Sequence, residues 1–168
     1  MIGIGSTVGN YRVVKKLGSG AMGAVFLAEH PIIGKKVALK VIHSDLAENE
    51  EMVSRFFNEA RAVTKIGHEH IVEVIDFGQT PEGDNFIVME LLEGVSLGDL
   101  LKEKTILPVA DALSIAAQIA DGLAASHAQG IVHRDMKPEN IFLVERPVQQ
   151  PKILDFGISK FKGTDDDV

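Results

Sequence analysis

The stretch that most constrains this chain is residues 131–140, which read I-V-H-R-D-M-K-P-E-N. Two apolar residues lead into a dense polar cluster, and Pro138 prevents that cluster from continuing as a regular helix or a central strand. Asp135, Lys137 and Asn140 place a carboxylate, an ammonium and an amide on one loop. A single cluster of this kind is more typical of an ordinary solvated loop, so a second signal is needed before a function is assigned.

The second signal is Asp155-Phe156-Gly157, which follows the short β-prone run at residues 152–154. Asp155 and the Asp135 loop, which also carries Asn140, thus form two acidic sites, one of them paired with an asparagine, and their hard oxygen atoms suit Mg²⁺. A nucleotide-bound Mg²⁺ needs only a few protein ligands, because phosphate and water complete its octahedron. The two segments therefore predict one half of a phosphoryl-transfer site, and the other half is expected upstream.

Composition limits the class of protein. The 168 residues suffice for one domain with a real core, and a hydrophobic content of 45% is ordinary for a globular protein. A formal net charge of -7 argues against general nucleic-acid binding, which needs a basic surface. The sequence has no cysteine, no signal-peptide pattern and no apolar run of the roughly 18 residues that a membrane span requires. We expect a cytoplasmic protein without nucleic-acid partners or a membrane segment, and its oligomeric state stays open.

A glycine-rich motif supplies part of the upstream half. Residues 18–23 read G-S-G-A-M-G and separate two β-prone runs at residues 11–17 and 24–28. Such a motif also opens dinucleotide-binding folds, but there the glycines start a helix, whereas here a strand follows. The pattern predicts a hairpin flap whose backbone amides can close over phosphates. Taken alone, an ordinary glycine hairpin is the alternative.

Lys40 interrupts an otherwise apolar strand at residues 37–42, in phase with Ala38 and Ile42. Burying its charge alone would be costly, so it needs an anion. Over the predicted helix at residues 44–66, apolar side chains recur at steps of three and four, and Glu59 lies on the same stripe. We predict a Lys40–Glu59 ion pair that directs the lysine toward nucleotide phosphates. The alternative is a salt bridge without a catalytic role.

The remaining pattern predicts two lobes. Strands at residues 71–75 and 86–89 complete five strands in an antiparallel sheet covered by one helix, and a boundary is expected near Leu92. Residues 1–10 are then a loose lead-in, residues 11–92 the small lobe, and residues 93–168 part of a mainly helical large lobe. The helix predicted at residues 108–129 is apolar on nearly every side, so we expect its packing partners to lie beyond Val168 and its apolar surface to be exposed here.

In this order the segments resemble the eukaryotic-type protein kinases. The match covers the glycine loop, the lysine strand V-A-L-K at residues 37–40, the helix-C glutamate at Glu59, the catalytic loop H-R-D-M-K-P-E-N at residues 133–140 and the D-F-G triplet. Lys137, two residues after Asp135, resembles serine/threonine rather than tyrosine kinases, and the glycine loop resembles bacterial members. The implied fold is the α+β, two-lobe protein-kinase-like fold.

The resemblance implies a role for each matched residue. Asp135 would accept the proton of a Ser or Thr hydroxyl on a protein substrate, and Lys137 would steady the transferring phosphoryl group. Lys40, aligned by Glu59, would hold the α- and β-phosphates of ATP. The Mg²⁺ ligands would be Asn140 and Asp155. ATP would also contact the glycine loop, the neighbouring strands and the segment between the lobes, at Leu17, Gly18, Ser19, Gly20, Ala21, Met22, Gly23, Ala24, Val25, Ala38, Met89, Glu90, Leu92 and Phe142.

The resemblance covers only the first part of the family's pattern. Members of the family continue from the metal-binding triplet through an activation loop, an A-P-E segment and helices that bind the protein substrate, whereas this sequence stops soon after Gly157. Three functions follow as hypotheses: a serine/threonine protein kinase represented by an incomplete domain, a non-catalytic ATP-binding regulatory fragment, or a small-molecule kinase of related fold. Lys137 disfavours the third.

Overall fold

The β-prone runs pair into two antiparallel sheets in the computed structural model, which describes residues 2–20, 22–144 and 150–156. The first sheet contains β1 (Thr7–Val8), β2 (Tyr11–Ser19), β3 (Gly23–Glu29), β4 (Lys36–Ile42), β5 (Val74–Gln79) and β6 (Asn85–Glu90). Its spatial order is β1-β2-β3-β4-β6-β5. The second sheet contains β7 (Gly94–Ser96), β8 (Ile141–Val144) and β9 (Gln150–Ile153), in that order.

Four helices accompany the sheets in the described ranges. They are α1 (Ser44–Ala47), α2 (Glu50–Ile66), α3 (Leu97–Lys104) and α4 (Val109–Ala128), and a single 3₁₀ turn covers Pro138–Asn140. Helix α2 packs on the first sheet through its predicted apolar stripe, with Phe56 fully buried and Val63 5% exposed. Helix α3 is capped by the preceding residue, Ser96, whose hydroxyl accepts the backbone N–H of Asp99.

The single helix predicted at residues 44–66 is wrong, because the chain forms two helices there. Asn49 has extended backbone angles, and its side chain accepts the N–H groups of Glu51 and Met52. This is an N-cap, which satisfies the first unpaired donors of α2 and ends the preceding turn. Gly67 ends α2 with a φ of 56°, in the left-handed region that glycine adopts without a steric penalty.

Two strand predictions also need correction. The expected loose lead-in contains β1, which pairs with β2 and buries Val8 completely, so the sheet has six strands rather than five. The strand expected at residues 71–75 begins only at Val74. Ile71 instead forms a parallel bridge to Ile153 of the second sheet, and this pairing uses the backbone groups that a longer β5 would need.

Helix α4 buries only one side. Ile115 is 6% exposed, whereas Val109 and Leu113 on the other side are 75% and 65% exposed. The expected apolar surface is therefore present. Among the described residues, no helix combines the length and the apolar character that crossing a membrane would need.

Gly23 is the glycine whose missing side chain the sheet requires. It pairs with Ile42 across β3 and β4, and a Cβ at this position would overlap the carbonyl oxygen of Val41. We expect Gly23→Ala to lower the free energy of unfolding by about 1–3 kcal/mol, because the strands must move apart. Urea denaturation measures this loss. Gly20→Ala is the matched control, since a Cβ there meets no described atom within 4 Å. Equal losses in the two variants would contradict the explanation.

Candidate active site

Lys40 is held between two carboxylates. It lies in the middle of β4, paired with Val25 on one side and Ile87 on the other. Its Nζ atom lies 3.2 Å from Glu59 Oε1 on helix α2, which is the predicted ion pair. The same atom lies 2.8 Å from Asp155 Oδ1. The side chains of Lys40 and Glu59 are 11% and 12% exposed, so the lysine joins the first sheet, helix α2 and the segment after β9 in a largely dry environment.

The protonation of these three groups follows from one cation facing two anions. Burial by itself would lower the pKa of Lys40, but the carboxylates of Glu59 and Asp155 outweigh burial and raise it to about 12. Burial raises the pKa of Glu59 to about 7, against the opposing effect of Lys40. Asp155 shows the reverse balance: partial desolvation would raise its pKa, but the charge and hydrogen bond of the Lys40 ammonium outweigh this effect and hold its pKa below the usual range. The lysine therefore favours ionised Asp155, and Glu59 holds a proton at slightly acidic pH.

This balance predicts a pH dependence of stability. The pKa of Glu59 is raised on folding, so its contribution to stability is fully present below about 4.5 and is lost as the pH rises through about 7. We expect the melting temperature of the wild type, relative to that of Glu59→Gln, to fall between pH 5 and pH 8. Lys40 and Asp155 do not titrate in that window, so they leave the difference unaffected. A constant difference across the window would show that Glu59 is ionised throughout.

The loop that carries Asp135 is held by internal hydrogen bonds. Asn140 donates from Nδ2 to the backbone oxygen of Asp135 at 2.9 Å and to its Oδ2 at 3.3 Å. Lys137 Nζ lies 3.0 Å from the same Oδ2, and this hydrogen bond raises the pKa of Lys137. Pro138 begins the 3₁₀ turn that ends at Asn140, as expected for a residue that interrupts regular structure. The carboxylate, ammonium and amide predicted for this loop thus form one connected cluster.

His133 joins this loop to the segment that carries Asp155. The ring is buried, and its Nε2 lies 2.8 Å from the Leu154 carbonyl oxygen, while its Nδ1 accepts the Asp135 N–H at 3.3 Å. Burial lowers the pKa of His133, which agrees with a neutral ring that carries its hydrogen on Nε2. Its ring centroid also lies 4.7 Å from that of Phe156. The two loops are therefore fixed relative to each other.

Two adjoining cavities open between the sheets. The first, of about 270 Å³, is largely apolar and is lined by Leu17, Gly18, Val25, Ala38, Lys40, Glu59, Ala60, Val63, Val72, Val74, Ile87, Met89, Glu90, Leu91, Leu92, Phe142, Leu154 and Asp155. The second, of about 710 Å³, is more polar and is lined by Gly18, Ser19, Gly20, Met22, Gly23, Val25, Lys40, Glu59, Asp135, Lys137, Glu139, Asn140, Asp155 and Phe156. Because Lys40, Glu59 and Asp155 line both, the cavities form one continuous cleft.

Nearly every residue assigned to the site from the sequence lies on this cleft. Ala24 does not, because it belongs to the buried core of the first sheet. Ala21 and Gly157 lie outside the described residues. The other residues predicted to contact ATP outside the glycine loop line the apolar cavity, and the predicted catalytic and metal-binding residues line the polar one.

Sequence reasoning missed two contacts at the edge of the site. His43 Nε2 lies 3.0 Å from the backbone oxygen of Gly20, and the His43 N–H donates to the Met22 oxygen, so this residue holds the glycine flap at two points. Lys152 Nζ lies 2.6 Å from Glu90 Oε1. Neither partner follows from local spacing, since the contacts join residues 23 and 62 positions apart.

The cleft brings the paired lysine of the first sheet to the carboxylate–amide loop that leads into the second, and this arrangement is typical of a protein kinase domain. Residues 11–167 match the protein kinase domain family, and the chain belongs to this family. It is 48% identical over 159 residues to the serine/threonine-protein kinase Pkn1 of Myxococcus xanthus, covering 94% of this chain and 22% of the relative. It is 45% identical over 154 residues to the serine/threonine-protein kinase pkn2 of the same organism, covering 90% and 18%.

A solved structure shows the same fold. The PknI kinase domain of Mycobacterium tuberculosis superposes with a TM-score of 0.79 at 34% identity, covering 94% of this chain and 64% of that one. These relatives are bacterial, as the glycine loop predicted. The chain spans about a fifth of the length of the two curated relatives.

Proposed function

We propose that this chain forms the ATP-binding and phosphoryl-transfer part of a serine/threonine protein kinase. The observation that carries the proposal is the convergence of Lys40, Asp135, Asn140 and Asp155 on one cavity, although they are far apart in the sequence. Residues 11–92 would be the small lobe and residues 93–168 part of the large lobe. The activity would take place in the cytoplasm, on protein substrates.

The adenine ring of ATP would occupy the apolar cavity. Leu17, Val25 and Ala38 would cover one face of the ring, and Phe142 would contact the other. Backbone groups of Glu90 and Leu92, which also line this cavity, would hydrogen-bond to the edge of the base. The triphosphate would then extend into the polar cavity toward Lys40, beneath the glycine flap.

The residues beside the phosphates suit Mg²⁺. Asn140 uses its Nδ2 atom to donate to Asp135, which leaves its amide oxygen as a ligand. The Asp155 side chain is 55% exposed and ionises readily because Lys40 lowers its pKa. Hard oxygen atoms of this kind are the ligands that Mg²⁺ takes in nucleotide sites. The ion would supply charge neutralisation around the phosphates.

Asp135 would orient the substrate hydroxyl and accept its proton, while Lys137, already 3.0 Å from Asp135, would contribute positive charge beside the transferring group. Phosphoryl transfer asks little covalent chemistry of the protein, so positioning and charge stabilisation supply most of the catalysis. The rigid connection through His133 suits this demand. Lys137 and the surrounding motif favour Ser and Thr as acceptors.

The test is transfer of the γ-phosphoryl group from Mg²⁺-ATP to three peptides that differ only in a Ser, Thr or Tyr acceptor. Two samples are assayed: the 168-residue chain and the protein as its organism makes it. We expect transfer to the Ser and Thr peptides and little transfer to the Tyr peptide. Tight ATP binding without transfer in either form would favour the non-catalytic ATP-binding module. Phosphorylation of small metabolites but not of peptides would favour a small-molecule kinase.

A further inference from the structure

A partly buried charged pair lies behind the segment that joins the two sheets. Lys152 on β9 places its Nζ atom 2.6 Å from Oε1 of Glu90, the last residue of β6. The same Oε1 atom accepts the backbone N–H of Glu73 at 2.8 Å, and the ammonium also lies 3.5 Å from the Ile71 carbonyl oxygen. The side chains of Lys152 and Glu90 are only 16% and 23% exposed. The contact is therefore unlike the surface pair of Lys102 and Asp99, which are 70% and 66% exposed.

Three pieces of backbone converge on this pair. The segment before β5 bonds to the second sheet, through Ile153 N to His70 O at 2.8 Å and Val72 N to Ile153 O at 3.1 Å. The same segment bonds to the first sheet, through Glu90 N to Glu73 O at 3.0 Å. The Glu90–Lys152 pair joins the first sheet directly to the second. The segment before β5, strand β6 and strand β9 are therefore each bonded to the other two.

Packing does little to hold the pair from behind. An open cavity of about 430 Å³ lies there, and Glu73 and Lys152 are among its lining residues. Val72 and Val74 line this rear cavity and also the apolar cavity of the site, so the wall between them is one residue thick. Leu92 packs on the hydrophobic core that contains Leu143 and Ile153, whereas Glu90, at the start of the segment, is held by its polar contacts with Glu73 and Lys152. The position of the Glu90 end of residues 90–92 therefore depends on these polar contacts.

We propose that Lys152 is a positioning residue for nucleotide binding: by holding the carboxylate of Glu90, it fixes the backbone of residues 90–92 against which the edge of the base binds. The proposal rests on the function proposed above and deepens it. Lys152 does not reach the nucleotide cavity, so its effect passes through Glu90. The Lys40–Glu59 and Lys40–Asp155 contacts are present in the same structure as the Glu90–Lys152 pair.

The experiment compares the affinities of adenosine and Mg²⁺-ATP, measured by calorimetric titration. We expect Lys152→Met to weaken both by the same factor of about 3–10, because one charge-assisted hydrogen bond that positions the base edge is lost. Lys152→Arg keeps the ion pair and is expected to bind both like the wild type. Lys102→Met removes an exposed lysine from a comparable pair and is expected to change neither affinity.

Several outcomes would overturn the proposal. Wild-type affinity of Lys152→Met for adenosine, or a loss confined to ATP, would show that the lysine does not act on the base edge. A purely structural role would lower the melting temperature without changing either affinity. Lys152→Gln, which keeps a donor for the Ile71 oxygen, replaces Lys152→Met if that variant does not fold. Failure of the wild type to bind Mg²⁺-ATP would instead contradict the proposed function.

The two partners are also tested against each other. Glu90→Gln weakens the same contact from the other side, while its amide oxygen can still accept the Glu73 N–H. We expect the double variant Glu90→Gln/Lys152→Met to bind adenosine no more weakly than Lys152→Met alone, because the two substitutions weaken the same contact. Additive losses would show that the residues act separately, which contradicts the proposal.

Discussion

Replacing Asp135 by alanine is expected to lower the rate of phosphoryl transfer by about 10²- to 10⁴-fold while leaving ATP affinity nearly unchanged. Asp135 lies in the polar cavity beside Asn140 and Lys137, away from the apolar cavity that would hold the base. Asn140 keeps its stronger bond to the backbone oxygen of residue 135, at 2.9 Å, so its amide stays oriented. The loss should therefore fall on kcat rather than on nucleotide binding.

The measurement is peptide phosphorylation under ATP saturation, together with a direct ATP titration. Asp111→Ala serves as the matched control, since it removes an exposed aspartate on α4 that lies on neither cavity of the cleft. Phosphotransfer retained by Asp135→Ala at the wild-type rate would rule out this residue as the base. Loss of ATP binding in the same variant would show that the loop itself had collapsed.

Lys40→Met is expected to weaken ATP binding by about 10- to 100-fold and adenosine binding very little. The reason is geometric, because the ammonium lies where the two cavities meet and would contact phosphates rather than the base.

Lys40→Met also leaves Glu59 buried without its cation. The pKa of Glu59, already about 7, must then rise further, so the stability loss is expected to be smaller at pH 6 than at pH 8.

A second substitution separates these two effects of Lys40. The double variant Lys40→Met/Glu59→Gln removes the stranded carboxylate, and we expect it to recover most of the stability at pH 8 without recovering ATP affinity. Melting temperatures at both pH values and titrations with ATP and adenosine measure the outcomes. Recovery of ATP affinity in the double variant would mean that Lys40 serves only to neutralise Glu59.

Much of the site could be predicted because its chemistry is written in short local patterns. A lysine in phase with buried residues needs an anion, and a glutamate on the apolar stripe of the next helix is an obvious candidate; the structure contains that pair. The Asn49 cap also has a local signal, since an asparagine followed by two glutamates is typical of a helix start. The prediction of a single helix at residues 44–66 did not take this signal into account. The two-residue strand β1 was too short for any periodicity to reveal.

Contacts between distant segments had no such signal. That Lys40 binds a second carboxylate, from Asp155, depends on bringing together residues 115 positions apart. The contact between Glu90 and Lys152 is of the same kind. In each case the residue types are ordinary, and only the packing of one sheet against the other selects the partner.

The sequence by itself determined which residue types are available to the candidate site, because residue type and local spacing decide where a carboxylate, an amide or a flexible glycine turn can occur. It also determined the family, through several motifs in a fixed order. Only the tertiary structure decided how the charges are shared. Burial and the meeting of two sheets give Lys40 two anions, raise the pKa of Glu59 to about 7 and pair Lys152 with Glu90. These effects depend on distances in space that local sequence does not encode.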